Sequence, residues 1–144
     1  MDRSDWVLLV TTLGDGTPMT PVQLQKSVFL AGRLLPSAQA QKDFYTFEPY
    51  NYGPFCAAIY RDAEALAGQG LLNISVSPSG GWRQYCATPS GRAKAEEMQK
   101  TLPPEEAEYL KRLVDWVRSV PFAQLLRTIY ERWPDYKVNS IFAG

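Results

Sequence analysis

Apolar residues recur along this chain with a period that shifts from helical to strand-like and back. In residues 4–13, Trp6, Leu9, Val10 and Leu13 fall on one helical face. Ser4 can cap that helix, and Gly14-Asp15-Gly16 ends it. Thr20-Pro21-Val22-Gln23 is a capping-box pattern with proline at the first helical position. Leu24, Val28, Ala31 and Leu35 then repeat at helical spacing until Pro36, with Lys26 and Arg33 off that stripe. Phe44-Tyr45-Thr46-Phe47 predicts a short extended piece. Gly53-Pro54 predicts the start of a third helix, with Ile59, Ala63, Leu66 and Ala67 as its buried stripe and Gly68 and Gly70 at its end.

Period two follows. Leu72, Ile74 and Val76 alternate with Asn73, Ser75 and Ser77, as in a half-buried strand. Pro78-Ser79-Gly80-Gly81 supplies a turn, and residues 82–88 the return strand. Thr88-Pro89-Ser90-Gly91 opens a fourth helix, running from Gly91 to about Lys100. Pro103-Pro104 and three early acids, Glu105, Glu106 and Glu108, open a fifth, with Ala107, Leu110, Val114 and Val117 on its face. Pro121 opens a sixth, with Phe122, Leu125, Leu126, Ile129 and Trp133, closed by Pro134. The order implies an α+β, mostly helical fold: a winged-helix-like core over about 18–100, with a two-stranded wing, and a C-terminal helical extension over about 103–144. No connection has the length of a domain linker, so residues 1–144 read as one domain.

Composition narrows the function. The chain is 45% hydrophobic and 12% aromatic, enough to build a core. It balances 15 basic against 15 acidic residues, so nothing pulls it strongly toward nucleic acid or anionic lipid. The apolar run at residues 6–14 is too short and polar to span a membrane, and Asp2 and Asp5 stand where a signal peptide needs positive charge. A cytoplasmic protein without membrane contact is expected. There is no histidine, which removes Ser-His-Asp and Cys-His nucleophiles and histidine bases at once. Cys56 and Cys86 are too few for a zinc site, and no phosphate-binding glycine loop is present. We expect a protein that is not an enzyme and has no cofactor, no catalytic residues and no metal.

Two stretches carry a family resemblance. Tyr85-Cys86-Ala87-Thr88-Pro89-Ser90-Gly91 resembles the wing ending of many prokaryotic winged-helix proteins, with Ala87 where an aliphatic Leu is typical. Leu24-Gln25-Lys26-Ser27-Val28-Phe29-Leu30 followed by Phe47-Glu48-Pro49-Tyr50-Asn51-Tyr52-Gly53-Pro54-Phe55 resembles the YwgA-like bacterial family. The Tyr-Gly-Pro step is also similar to one in the SocA/Panacea domain. The segment with Ile129-Tyr130, Trp133-Pro134-Asp135-Tyr136 and Asn139-Ser140 looks similar to the YwgA-like tail. The resemblance spans roughly residues 20–140. It implies a winged-helix type fold, and either transcriptional control or an antitoxin-like role.

Two partner classes follow. A DNA-binding regulator would use the outer face of the third helix and the wing, which makes Tyr60, Arg61 and Arg83 the candidate nucleic-acid contacts. Residues 20–100 hold 8 basic and 6 acidic residues, a net of +2, which is thin for neutralising several phosphates. A protein-binding module, such as an antitoxin-like or phage-defence-associated adaptor, would use the aromatic run instead. There Phe44, Phe47 and Phe55 suit the core, and Tyr50 and Tyr52 are the candidate partner contacts. The apolar faces of the last two helices further suggest packing on the first helix and a homodimer.

Overall fold

A computed structural model describes residues 1–14 and 16–141. Asp15 lies outside the described residues, so of the turn read at Gly14-Asp15-Gly16 only the two glycines are placed. The first helix, α1 (Arg3–Thr12), is buried around its whole circumference: every residue from Asp5 to Thr12 is inside. The single apolar face expected for it is therefore too modest a description. Its polar groups are satisfied locally. Asp2 N–H, not Ser4, caps the start by donating to Asp5 Oδ2 (2.8 Å). The Thr11 hydroxyl lies 3.0 Å from the Val7 carbonyl and that of Thr12 2.8 Å from Leu8 O, each returned to the helix's own backbone.

Helix α2 (Pro21–Leu34) starts as its sequence demands. Thr20 Oγ1 accepts from Gln23 N–H (3.1 Å), and Gln23 Oε1 accepts from Thr20 N–H (3.0 Å), the reciprocal capping box. Its middle, Leu24 to Ala31, is also buried throughout. Arg33 is exposed as expected, whereas Lys26 is not. A short helix, α3 (Pro36–Gln39), follows.

The aromatic stretch departs from expectation. Residues 44–47 belong to no strand; the pairing comes just after them. Strands β1 (Glu48–Tyr50) and β2 (Gly53–Phe55) form a tight antiparallel hairpin in which Tyr50 pairs with Gly53. Gly53 has φ +88°, a backbone that L side chains rarely adopt. The Gly-Pro step thus turns a hairpin, and helix α4 (Ala57–Gly68) begins three residues later than Pro54 suggested. Ile59, Ala63 and Leu66 form its buried stripe, while Ala67, expected on it, is half-buried at its edge.

Strands β3 (Leu72–Val76) and β4 (Arg83–Ala87) make the second hairpin, with Leu72 opposite Ala87 and Val76 opposite Arg83. Leu72 is buried, Ile74 half-buried and Val76 exposed, because the hairpin runs outward past the core. Met19 extends this sheet by one bridge: its N–H donates to Tyr85 O (2.8 Å), and Tyr85 N–H donates back to Met19 O (3.0 Å). Helix α5 (Pro89–Thr101) opens on Thr88, whose Oγ1 accepts from Gly91 N–H at 3.0 Å. Helices α6 (Pro104–Ser119) and α7 (Phe122–Arg132) follow, and a 3-10 turn (Pro134–Lys137) completes the described elements. The architecture is α+β and mostly helical, with two small antiparallel two-stranded sheets.

The last two long helices were expected to lean on α1. Helix α6 instead packs chiefly on α2, and α7 on β2 and the closing turn. Leu110, Val114, Val117, Leu125, Leu126 and Ile129 are each no more than 2% exposed. Burying such a side chain contributes about 1.5–3 kcal/mol, and this chain collects it internally. Of the apolar residues that suggested a homodimer, these six are buried within one copy, whereas Phe122 is exposed and Trp133 half-buried. Arg118 links α6 to α1 through polar contacts: it donates to Leu13 O (2.9 Å), Thr11 O (3.2 Å) and Thr17 O (2.8 Å). A cation there meets the carbonyl end of α1.

The fold makes one sharp demand at Gly91. A Cβ at that position would lie 1.9 Å from the Leu71 carbonyl oxygen, a backbone atom that cannot swing away. Gly91→Ala should therefore destabilise the chain by about 2–3 kcal/mol, as overpacking does. Urea unfolding checks this, and a midpoint unchanged from the parent would contradict it.

Candidate functional site

The β1–β2 hairpin is fastened from below by two consecutive polar side chains of α2. The Gln25 amide behaves like a neighbouring strand's peptide group: its Nε2 donates to Cys56 O (2.9 Å), and its Oε1 accepts from Cys56 N–H (2.9 Å). Lys26 Nζ donates to Pro54 O at 3.0 Å. Gln25 is 1% exposed and Lys26 3%, so both bonds are shielded from water. Burial disfavours the charged ammonium and lowers the Lys26 pKa to about 8. Lys26 was expected to point away from the core. It is buried because α2 is enclosed by the hairpin as well as by other helices.

A second set of contacts fastens the hairpin tip from the C-terminal side. Tyr130 donates from its hydroxyl to Ser140 Oγ (2.7 Å), and Ser140 Oγ donates to Asn51 O (3.2 Å). Ile141 N–H donates to the same Asn51 carbonyl (3.0 Å), and Asn139 Nδ2 to Pro49 O (3.3 Å). The hairpin backbone is therefore held from two sides.

The hairpin's outward side chains include two tyrosines beside the exposed Glu48. Tyr50 is 52% exposed and stacks on Phe55 with ring centroids 4.9 Å apart. Tyr52 is 43% exposed and meets the exposed ring of Phe122 edge-on at 5.6 Å. Val138 and Ile141, which flank the Asn139-Ser140 fastening, are also exposed. Beneath Tyr50 and Tyr52 lies a cavity of about 160 Å³, walled by Val22, Gln25, Lys26, Phe55 and Tyr60.

Of the three candidate nucleic-acid residues, Tyr60 lines this cavity, whereas Arg61 and Arg83 do not. Arg61 is exposed on α4 and in no ion pair among the described residues. Arg83, on β4, is bound to Glu64 of α4 at 2.7 Å; that hydrogen bond and charge hold its guanidinium above the ordinary range. Tyr60 is half-buried, stacked against Tyr85 at 6.1 Å, and burial pushes its phenol up to about 12. The fold thus places Tyr60 in the wall of the hairpin cavity and separates it from Arg61. Tyr50 and Tyr52, chosen from sequence as the exposed aromatics, are exposed. Phe44, Phe47 and Phe55, assigned to the core, are half-buried. Gln25, Lys26 and Phe122 went unrecognised as parts of one site. Two adjacent long polar residues inside the apolar run 24–31 were the available signal for the first two. Cys56 and Cys86 are free thiols.

Two outcomes follow. Gly53→Ala should cost about 1–2 kcal/mol in urea unfolding through its left-handed backbone alone. A new Cβ would have only ordinary contacts at 3.5–3.6 Å with Leu126, Tyr130 and Lys26, so an unchanged midpoint would contradict the backbone argument. Lys26 sets a pH dependence. Its folded pKa lies below its unfolded value, so the unfolded chain binds more protons between about pH 8 and 10.5. Stability should therefore rise with pH across that window, by about 2 kcal/mol between pH 7 and 10. Tyr60, with its folded pKa raised, begins to oppose this above about pH 10. Lys26→Met should abolish the rise, as urea titrations at pH 7, 8.5 and 10 can show.

No protein-family model matches this chain, and no curated protein matches it, so no activity comes to the hairpin site from a relative.

Proposed function

We propose that this chain is a non-catalytic protein-binding module built on a winged-helix type scaffold. The observation that carries this reading is a set of exposed apolar side chains: Tyr50 and Tyr52 on a hairpin already fastened from two sides, Phe122 of α7 against Tyr52, and Val138 and Ile141 of the C-terminal segment that fastens the hairpin. A contiguous exposed apolar patch marks an interaction surface, and Tyr and Phe are among the favoured anchors. Preorganisation favours affinity because little ordering cost remains at association. The partner inserts an apolar side chain between Tyr50 and Tyr52, over the Lys26 cavity. Such a surface fits the antitoxin-like or adaptor role that the resemblance to the YwgA-like family and the SocA/Panacea domain implies.

A DNA-binding regulator is the second reading, and one observation favours it. With α3 and the β1–β2 hairpin set aside, the order of α1, the Met19 bridge, α2, α4, the β3–β4 hairpin and α5 is compatible with a winged helix, Met19 standing where a short first strand would be. Electrostatics favour it less. Of the two arginines on the α4 and wing faces, Glu64 already engages Arg83. The wing tip Pro78-Ser79-Gly80-Gly81 carries no basic residue.

A photo-crosslinking amino acid placed at Tyr52 or at Arg61, in cells that make the chain, distinguishes the two. We expect a discrete protein adduct from position 52, lost in Phe122→Ser, and none from position 61. Adducts to DNA from position 61 would overturn the conclusion. In fluorescence anisotropy, a random duplex should bind no tighter than about 10⁻⁴ M at physiological salt. Tight binding that weakens steeply with salt, and is lost in the Arg61→Ala/Arg83→Ala double variant, would instead establish the regulator.

A further inference from the structure

A second concavity lies between α2, α6 and α7, and shares no lining residue with the hairpin cavity. Its volume is about 310 Å³, within the range of small-molecule sites, which begins at about 300 Å³. Leu30, Leu34 and Leu113 form its floor and walls, with the indoles of Trp116 and Trp133 beside them. Two arginines stand in its lining, Arg112 from α6 and Arg132 from α7. Arg112 lies over the Tyr109 ring at 5.8 Å and Arg132 over Trp133 at 4.9 Å. Neither is ion-paired among the described residues, and no carboxylate lines the groove.

From this we propose that the groove binds an amphipathic organic carboxylate, with its apolar body against the leucines and indoles and its carboxylate between Arg112 and Arg132. The chemistry selects this occupant. An apolar wall alone would accept any oil, but two guanidinium groups without an acidic partner leave donors that match a carboxylate in charge and geometry. Stacking on Tyr109 and Trp133 orients those guanidiniums without consuming their N–H groups. A second copy of the chain fits less well, because a two-fold contact here would bring these arginine pairs toward one another.

Decanoate is a suitable probe, read by calorimetry and by the fluorescence of Trp116 and Trp133. Decanol keeps the tail without the charge, and acetate keeps the charge without the tail. We expect saturable decanoate binding, at least tenfold weaker binding of decanol, and none of acetate. Arg112→Gln/Arg132→Gln should weaken decanoate at least tenfold and leave decanol unchanged. Leu34→Trp, which fills the groove, should abolish binding of both, with melting temperature reporting that the fold survives. Decanol binding as tightly as decanoate, no saturable binding of decanoate, or a double variant with undiminished affinity would each overturn the proposal. So would self-association of the parent chain that Trp116→Ala abolishes, which would assign the groove to a second copy. None of these results bears on the hairpin surface, which is tested by its own crosslinks.

Discussion

A helix buried on every side has to be surrounded, and α1 imposes that constraint on the rest of this molecule. Its residues from Asp5 to Thr12 reach no solvent to speak of, so α2, α4, α5 and β4 must all close on it. Such a helix can carry few unsatisfied polar groups. The threonine hydroxyls return to its own carbonyls, Asp5 is met by the Asp2 N–H and by Lys94 at 3.6 Å, and Arg118 covers its carbonyl end. With α1 enclosed, the remaining elements are distributed by what is left of α2. One side takes α6, and another takes the β1–β2 hairpin.

That division has a functional consequence. The hairpin is a small element that could not hold itself together in water, since isolated two-stranded hairpins are marginal. Its stability is borrowed from α2 through Gln25 and Lys26, and from the C-terminal segment through Ser140 and Ile141. Because these bonds go to the hairpin's backbone, its side chains stay free to face outward. The result is an aromatic surface with a fixed shape and a buried amine below it. The face formed by α4 and the β3–β4 hairpin is different in kind: its two arginines are flanked by Glu64, and one of them is already engaged. Shape-based recognition at the hairpin and charge-based recognition at α4 are thus unequally provided for.

Local signals in the chain were accurate at several points where a few neighbouring residues decide the outcome, though not at the Ser4 cap or over residues 44–47. The Thr20 and Thr88 caps, the prolines that open α2, α5 and α6, and the β3–β4 turn depend on backbone and side chains only a few positions apart. The stripe of α4 was readable for the same reason, since Ile59, Ala63 and Leu66 report one face of a helix with solvent on the other. Such reading failed where the Gly53-Pro54 step had two outcomes. Glycine before proline suits a helix entry and a hairpin turn alike, and pairing with Glu48 to Tyr50 chose the hairpin.

By itself, then, the sequence determined the six long helices and the β3–β4 hairpin between them, a mostly helical α+β architecture and the exposure of Tyr50 and Tyr52. These follow from periodicity and turn chemistry, which act over short distances. Tertiary structure alone decided that Lys26 is buried, that Arg83 meets Glu64, and that Phe122 joins Tyr52 across 70 residues of chain. It also decided that α6 covers α2 and that α7 covers β2 and the closing turn, leaving α1 chiefly to other elements. The physical reason is common to all of these. A helical wheel reports which residues share a face, but how many faces become buried depends on how many neighbours close around the helix, and those neighbours come from distant parts of the chain.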